Sequence, residues 1–169
     1  MSKRIRQYIG ILAAVILYYI IHEGAHLLAA LYYGVFRQIN FMGLGIQVDV
    51  YHTPQMTNFQ MGIFCLAGAA ATFLAGWLLV LLCRRICELG SQVFRAVMWY
   101  TSLILLLLDP LYLSVLCSFF GGGDMNGITL LFPETAARLG FAAIGIIHGV
   151  ILWRYLLPAY KRSFAGEES

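Results

Sequence analysis

The sequence predicts an all-α membrane protein of about four transmembrane helices with a small membrane-associated β-hairpin. Three observations predict it. Of the 169 residues, 61% are hydrophobic and only 11% charged, against about 25% charged in an ordinary soluble domain. Four apolar stretches reach the ~20 residues needed to cross a bilayer. Between the first two lies a segment whose apolar residues alternate with period 2.

The four stretches are residues 5–33, 58–83, 93–120 and 135–157. Lys3, Arg4 and Arg6 precede the first. Arg84, Arg85 and Arg95 flank the connection between the second and third, and Arg154, Lys161 and Arg162 close the fourth. Four spans put all of these on one side and leave Arg37 and Arg138 on the other. Cytoplasmic loops carry the excess of Lys and Arg, so both termini are expected in the cytoplasm, with the chain in a plasma (inner) membrane. The net charge of +3 thus orients a chain whose surroundings are the lipid bilayer, and it does not indicate nucleic-acid binding. The basic start resembles a signal peptide. The apolar run after it is too long for one and holds the most informative residues, so it reads as a retained span. A single domain over residues 1–169 accounts for the whole length.

In the segment after the first stretch, Ile46, Val48 and Val50 alternate with Gln47, Asp49 and Tyr51. That period marks a strand. Residues 37–41 are its expected partner, with Gly43 and Gly45 at the turn. In the second stretch Gly68, Thr72 and Gly76 recur every four residues, and Gly145 and Gly149 do so in the fourth. Small residues on one face let helix backbones approach closely in lipid, here within the monomer. Cys65, Cys83, Cys87 and Cys117 imply no disulfide framework. The four-residue spacing of Cys83 and Cys87, with no second pair, reads as two ordinary thiols.

The chemistry concentrates in His22-Glu23-Gly24-Ala25-His26, an H-E-x-x-H sequence inside the first stretch. Residues four apart share a helix face, so both imidazoles can reach one metal ion. Glu23, at the edge of that face, can take a proton from a water on the metal. Zinc lowers the pKa of such a water to about 7, which makes hydroxide available at neutral pH. Ionisable side chains within a span are costly and mark function. A catalytic zinc site takes three protein ligands and keeps one open position. The candidates for the third are Asp49, His52, Asp109, Asp124, Glu134 and His148. His22 lies about 25 Å along the first stretch at 1.5 Å per residue. Asp109, in Leu108-Asp109-Pro110, lies at a similar depth. Asp124 follows the third stretch in Gly121-Gly122-Gly123-Asp124, a run able to bend toward the site. Depth alone leaves both open. His148 reads as hydrogen-bonded within the bundle and His52 as a solvated loop residue.

These motifs resemble the site-2 protease family of intramembrane zinc metalloproteases. That family has H-E-x-x-H in a helix, then a short membrane-associated β region, then a span with a Gly-Pro-x-x-Asn-like stretch, then a segment with an Asp-Gly motif. The corresponding parts here are His22 to His26, residues 37–51, Gly68 to Thr72, and Gly123-Asp124-Met125-Asn126-Gly127. Ala69 and Thr72 stand where the family has Pro and Asn, and Asp124 is not followed directly by Gly. The resemblance implies one zinc ion held by His22, His26 and Asp124, with Asp109 as the rival ligand or a support behind the ligands. Glu23 would be the general base and later protonate the leaving amine. The substrate would be a membrane-embedded protein or peptide, unwound against the hairpin by strand addition. Gln47 and Asp49 are candidate polar contacts for it, and Thr72 a candidate to polarise its carbonyl. Control by a regulatory membrane partner or by prior trimming of the substrate is expected, since no appended regulatory domain is visible. Three other functions share the polar cluster: a non-catalytic relative that binds membrane proteins, a metal or proton transporter, and a zinc hydrolase acting on lipid. The intact Glu23, the lack of internal repeats and the hairpin respectively weigh against them.

Overall fold

The computed structural model describes residues 2–42, 45–51, 56–121 and 123–165. Four long apolar helices and one two-stranded antiparallel sheet make up the fold. Helix α1 (Lys3–Tyr32) starts at Ser2, whose Oγ accepts from the Ile5 amide. Strands β1 (Phe36–Met42) and β2 (Gly45–Val50) follow. Helix α2 (Asn58–Glu88) opens with a capping box in which Thr57 and Gln60 satisfy each other's backbone amides, removing two of the orphan donors of a helix start. Helix α3 (Gln92–Phe120) is capped by Ser91. A short helix α4 (Gly123–Ile128) leads to α5 (Glu134–Ala165).

The helices outrun the apolar stretches at their charged ends. α2 continues through Arg84, Arg85 and Cys87 to Glu88, and α5 continues to Ala165. Backbone hydrogen bonding does not stop where the apolar composition stops. In the hairpin, Ile39 pairs with Val48, Asn40 with Gln47 and Phe41 with Ile46, with an irregularity between Phe36 and Gln38. Tyr51 falls just past β2, its amide bonded to the Val35 carbonyl. Gly45 is the first residue of β2, and the predicted turn position Gly43 lies outside the described residues, as does His52.

Pro110 sits inside α3. It has no N–H to give the carbonyl four residues earlier, that of Leu106. His148 of α5 takes that vacancy, its Nδ1 lying 2.7 Å from the Leu106 oxygen. Trp77 Nε1 then donates to His148 Nε2 at 3.2 Å. His148 is therefore a buried structural histidine that ties α2, α3 and α5 together. A widened turn over Tyr112–Leu116 follows Pro110, a common consequence of an interrupted helical ladder.

The buried apolar residues form two clusters. One gathers Val48, Phe64, Cys65, Leu113, Met125 and Ile128 near the hairpin. The other gathers Val80, Cys83, Leu106, Leu156 and Tyr160 toward the opposite end. Between them lies a polar layer of His22, Thr72 and Asp109, all buried. Large apolar side chains cover the outside of the bundle, among them Leu12, Ile20 and Leu28 of α1, Leu81 of α2 and Ile146 of α5.

Candidate metal centre

His22 and His26 lie one helical turn apart on the inner face of α1, and both are buried. Their Nε2 atoms are 3.2 Å apart. Asp124, in the first turn of α4, brings Oδ2 to 3.2 Å from His22 Nε2 and 3.4 Å from His26 Nε2. These three residues offer one donor atom each, all within 4.8 Å of one another, a grouping able to hold a metal ion.

The far side of each ring is fixed. His26 Nδ1 lies 2.8 Å from the Phe64 carbonyl, which can only accept. His22 Nδ1 faces the Tyr18 hydroxyl at 3.3 Å and Asp109 Oδ1 at 3.4 Å. Tyr18 itself donates to Asp109 Oδ1 at 2.5 Å, and Thr72 Oγ1 donates to Asp109 Oδ2 at 2.5 Å. Each imidazole thus carries its proton on Nδ1, by inference from its partners. Both Nε2 lone pairs then point at the same small volume as a carboxylate oxygen. Three acceptors with no donor between them repel, so a cation must lie among them, a proton on one ring or a metal ion. Where that cation is a proton on the rings, the hydrogen bonds that His22 and His26 then donate outweigh the burial of the Asp124 carboxyl and bring it down to about 2.

Two glycines make the approach geometrically feasible. A Cβ on Gly68 of α2 would sit 2.5 Å from His26 Nε2 and 2.6 Å from His22 Nε2, so α2 can back onto the site only without a side chain there. A Cβ on Gly127 of α4 would sit 2.3 Å from Cys65 Sγ, so α4 reaches α2, with Asp124 in place, for the same reason. Tyr112 braces the segment before α4 by donating to the Gly121 carbonyl at 2.7 Å.

A cavity of about 440 Å³ opens beside the cluster, lined by His22, Glu23, His26, Asp124 and β2 residues Ile46 to Val48. Glu23 Oε2 accepts from the Val48 amide at 2.9 Å. The edge of β2 that faces away from β1 therefore faces Glu23 and the cavity.

Of the residues predicted from sequence, the structure brings His22, Glu23, His26, Asp124 and Gln47 to this cavity. Asp109 stands behind His22 rather than among the three converging atoms. Thr72 is wholly buried and spent on Asp109 and the Ala69 carbonyl, so it presents nothing to the cavity. Asp49 is engaged with Arg37 at 3.4 Å, and Glu134 with Arg138 at 2.7 Å. Sequence reasoning missed Tyr18, the Phe64 carbonyl and the Val48 amide. Tyr18 had a signal, since it precedes His22 by four residues and shares its helix face. No family model, curated protein or solved structure matches this chain.

Proposed function

We propose that this chain is an intramembrane zinc metalloprotease of the site-2 type, hydrolysing a peptide bond in a membrane-embedded protein or peptide. One observation carries the reading. Ligands about 2.0–2.1 Å from zinc in a tetrahedron are about 3.3–3.4 Å apart, and the three donor atoms are 3.2, 3.2 and 3.4 Å apart. Two nitrogens and one carboxylate suit zinc better than magnesium or calcium, which take oxygen ligands.

Bound zinc would supply a Lewis acid that polarises a carbonyl and acidifies water. The chain's own residues supply the rest. Asp109, itself held by Tyr18 and Thr72, keeps the His22 proton on Nδ1, so that Nε2 would be free to hold the ion. The Phe64 carbonyl does the same for His26. Glu23 takes a proton from the attacking water and returns it to the departing amine. A helix hides its peptide bonds, so a substrate must be extended before attack. The outward edge of β2 offers backbone groups for that extended form, with Gln47 beside it. A strand pairing there competes with Glu23 for the Val48 amide, which would release the carboxylate for proton transfer.

Membrane placement is supported by four helices long and apolar enough to cross a bilayer and by their apolar exterior, which soluble monomers rarely expose as a continuous surface. An apolar cleft of about 400 Å³ lies between α1 and the hairpin, with Ile16, Ile20, Ile39 and also Glu23 on its walls. It gives a lipid-borne substrate a lateral approach. The positive-inside rule puts both termini in the cytoplasm of a plasma (inner) membrane.

The decisive comparison is purified wild type against Glu23→Gln, read as bound zinc and as cleavage of a panel of single-span membrane peptides. About one zinc in both, with cleavage only by wild type, is the expected result. Zinc in neither overturns the hydrolase reading. Zinc in both with no cleavage leaves a metal site in a non-catalytic membrane-protein binder.

A further inference from the structure

At the opposite end of the bundle, the start of α1, the first turns of α3 and the end of α5 enclose a second cavity of about 320 Å³. Lys3, Arg6 and Lys161 line it, together with an aromatic wall of Trp99, Tyr100 and Phe164, and among the described residues none that lines it is acidic. Arg6 lies sixteen residues before His22 in α1, about 24 Å away at 1.5 Å per residue, so this cavity is separate from the metal centre.

The cavity is organised as well as charged. The Arg6 guanidinium lies 5.1 Å from the centre of the Phe164 ring and donates to Gln92 Oε1. Arg95 lies 5.6 Å from the same ring centre. Trp99 packs on the buried Tyr160 at 5.2 Å. A guanidinium held in one orientation beside two exposed lysines matches the several acceptor oxygens of a phosphate. The guanidinium binds two oxygens in a fixed fork, and the ammoniums act as adjustable point charges. Three cations around one cavity repel one another, and a bound anion removes that cost.

We propose that this cavity binds a phosphate ester, with its phosphate on Lys3, Arg6 and Lys161 and its apolar body along Trp99, Tyr100 and Phe164. The apolar wall beside the cations favours a phospholipid over a soluble ester. This source rests on the membrane placement proposed above, under which the cavity opens at the anionic cytoplasmic leaflet.

The test uses the full chain in nanodiscs of phosphatidylcholine alone or doped with phosphatidylglycerol, with retained lipid counted by native mass spectrometry. A parallel arm measures glycerol phosphate binding to the detergent-solubilised protein. Wild type retains phosphatidylglycerol selectively, and Lys3→Gln/Lys161→Gln loses about tenfold or more of that retention. Arg84→Gln/Arg85→Gln, at the same end of the bundle but outside the cavity, keeps it. Zinc bound at the distant centre serves as the folding check. If the double variant fails that check, Lys161→Gln alone carries the comparison, with a loss of about threefold.

Glycerol phosphate binding with the same dependence on Lys3 and Lys161, without lipid selectivity, assigns the site to a soluble ester. Equal loss in the Arg84/Arg85 variant, or no selectivity in either arm, overturns the site. Carbonate extraction of wild type from membranes separates the two readings. Release into the soluble fraction overturns the membrane placement and the lipid source together, whereas retention without phosphate selectivity overturns this site alone.

Discussion

At the scale of single residues, the centre depends on what stands behind the ligands as much as on the ligands. Asp109 accepts from Tyr18 and Thr72 and faces His22 Nδ1. Replacing it with Asn leaves the shape intact but removes the charge that holds the His22 tautomer. Asp109→Asn is expected to weaken zinc binding by about 10–100-fold, read by chelator competition, while Asp124→Ala abolishes stoichiometric binding. If Asp109→Ala abolishes it and Asp124→Ala does not, the ligand assignment is reversed. The pH dependence follows from the position of Asp124 at about 2. A carboxyl lowered in the folded state contributes its full stabilisation above its ordinary value and loses it only as the pH falls through about 2. Asp124 therefore stays ionised between about pH 4 and 8. Asp124→Asn, which removes that charge, should lower zinc content across this range, read by chelator competition. Unchanged zinc content in Asp124→Asn would show that the carboxylate charge is not needed.

At the scale of elements, two close approaches bring three helices to one point: α1 carries the histidines, α4 the carboxylate, and α2 backs both. The methyl added by Gly68→Ala falls within 2.6 Å of both Nε2 atoms, closer than non-bonded atoms approach. It should expel the metal while leaving the helical content measured by circular dichroism unchanged. Gly127→Ala acts one step removed. Its Cβ meets Cys65 Sγ at 2.3 Å, so α4 must lift from α2 and carry Asp124 away from the histidines. Partial zinc loss that Cys65→Ala relieves in the double variant is the expected signature. A Gly127→Ala variant with full zinc content would show that α4 tolerates the shift.

At the scale of the whole molecule, the polar layer lies between two apolar clusters, and the basic residues collect at the end away from the hairpin. The proposed membrane placement, with four spans and both termini on the basic side, predicts that reporter fusions at residue 2 and after Ala165 are active only in the cytoplasm. A periplasmic or extracellular signal from one fusion alone means an odd number of spans. Labelling an introduced Gln38→Cys from outside tests the hairpin's side independently. Gln38 pairs through its amide with Asn40 on the hairpin.

Much of the fold was legible because a bilayer would impose simple rules on a chain this apolar. Backbone groups in a bilayer must be satisfied within the segment, so long apolar runs are helices and charges mark their ends. The H-E-x-x-H spacing likewise makes a convergent pair of imidazoles readable from one helix, because helical periodicity alone puts His22 and His26 together. The carboxylate that joins them was not readable in this way. Asp109 lies at a similar depth to His22 and Asp124 just past the third apolar stretch, so depth left both open, and only the likeness of Gly123-Asp124-Met125-Asn126-Gly127 to a family motif favoured Asp124. The tertiary structure assigns them different places because Gly127 lets α4 seat Asp124 on α2, while Thr72 and Tyr18 claim both oxygens of Asp109. The same contacts remove Thr72 from the cavity. His148, read from sequence as hydrogen-bonded within the bundle, is so bonded, and its partner is the carbonyl that Pro110 leaves open in a different helix. The sequence by itself determined the helices, the strand period and the paired histidines, since these follow from periodicity along one chain. Only the packing of separate elements decided which carboxylate meets the histidines and which stands behind them, because that choice depends on approach distances between backbones distant in sequence.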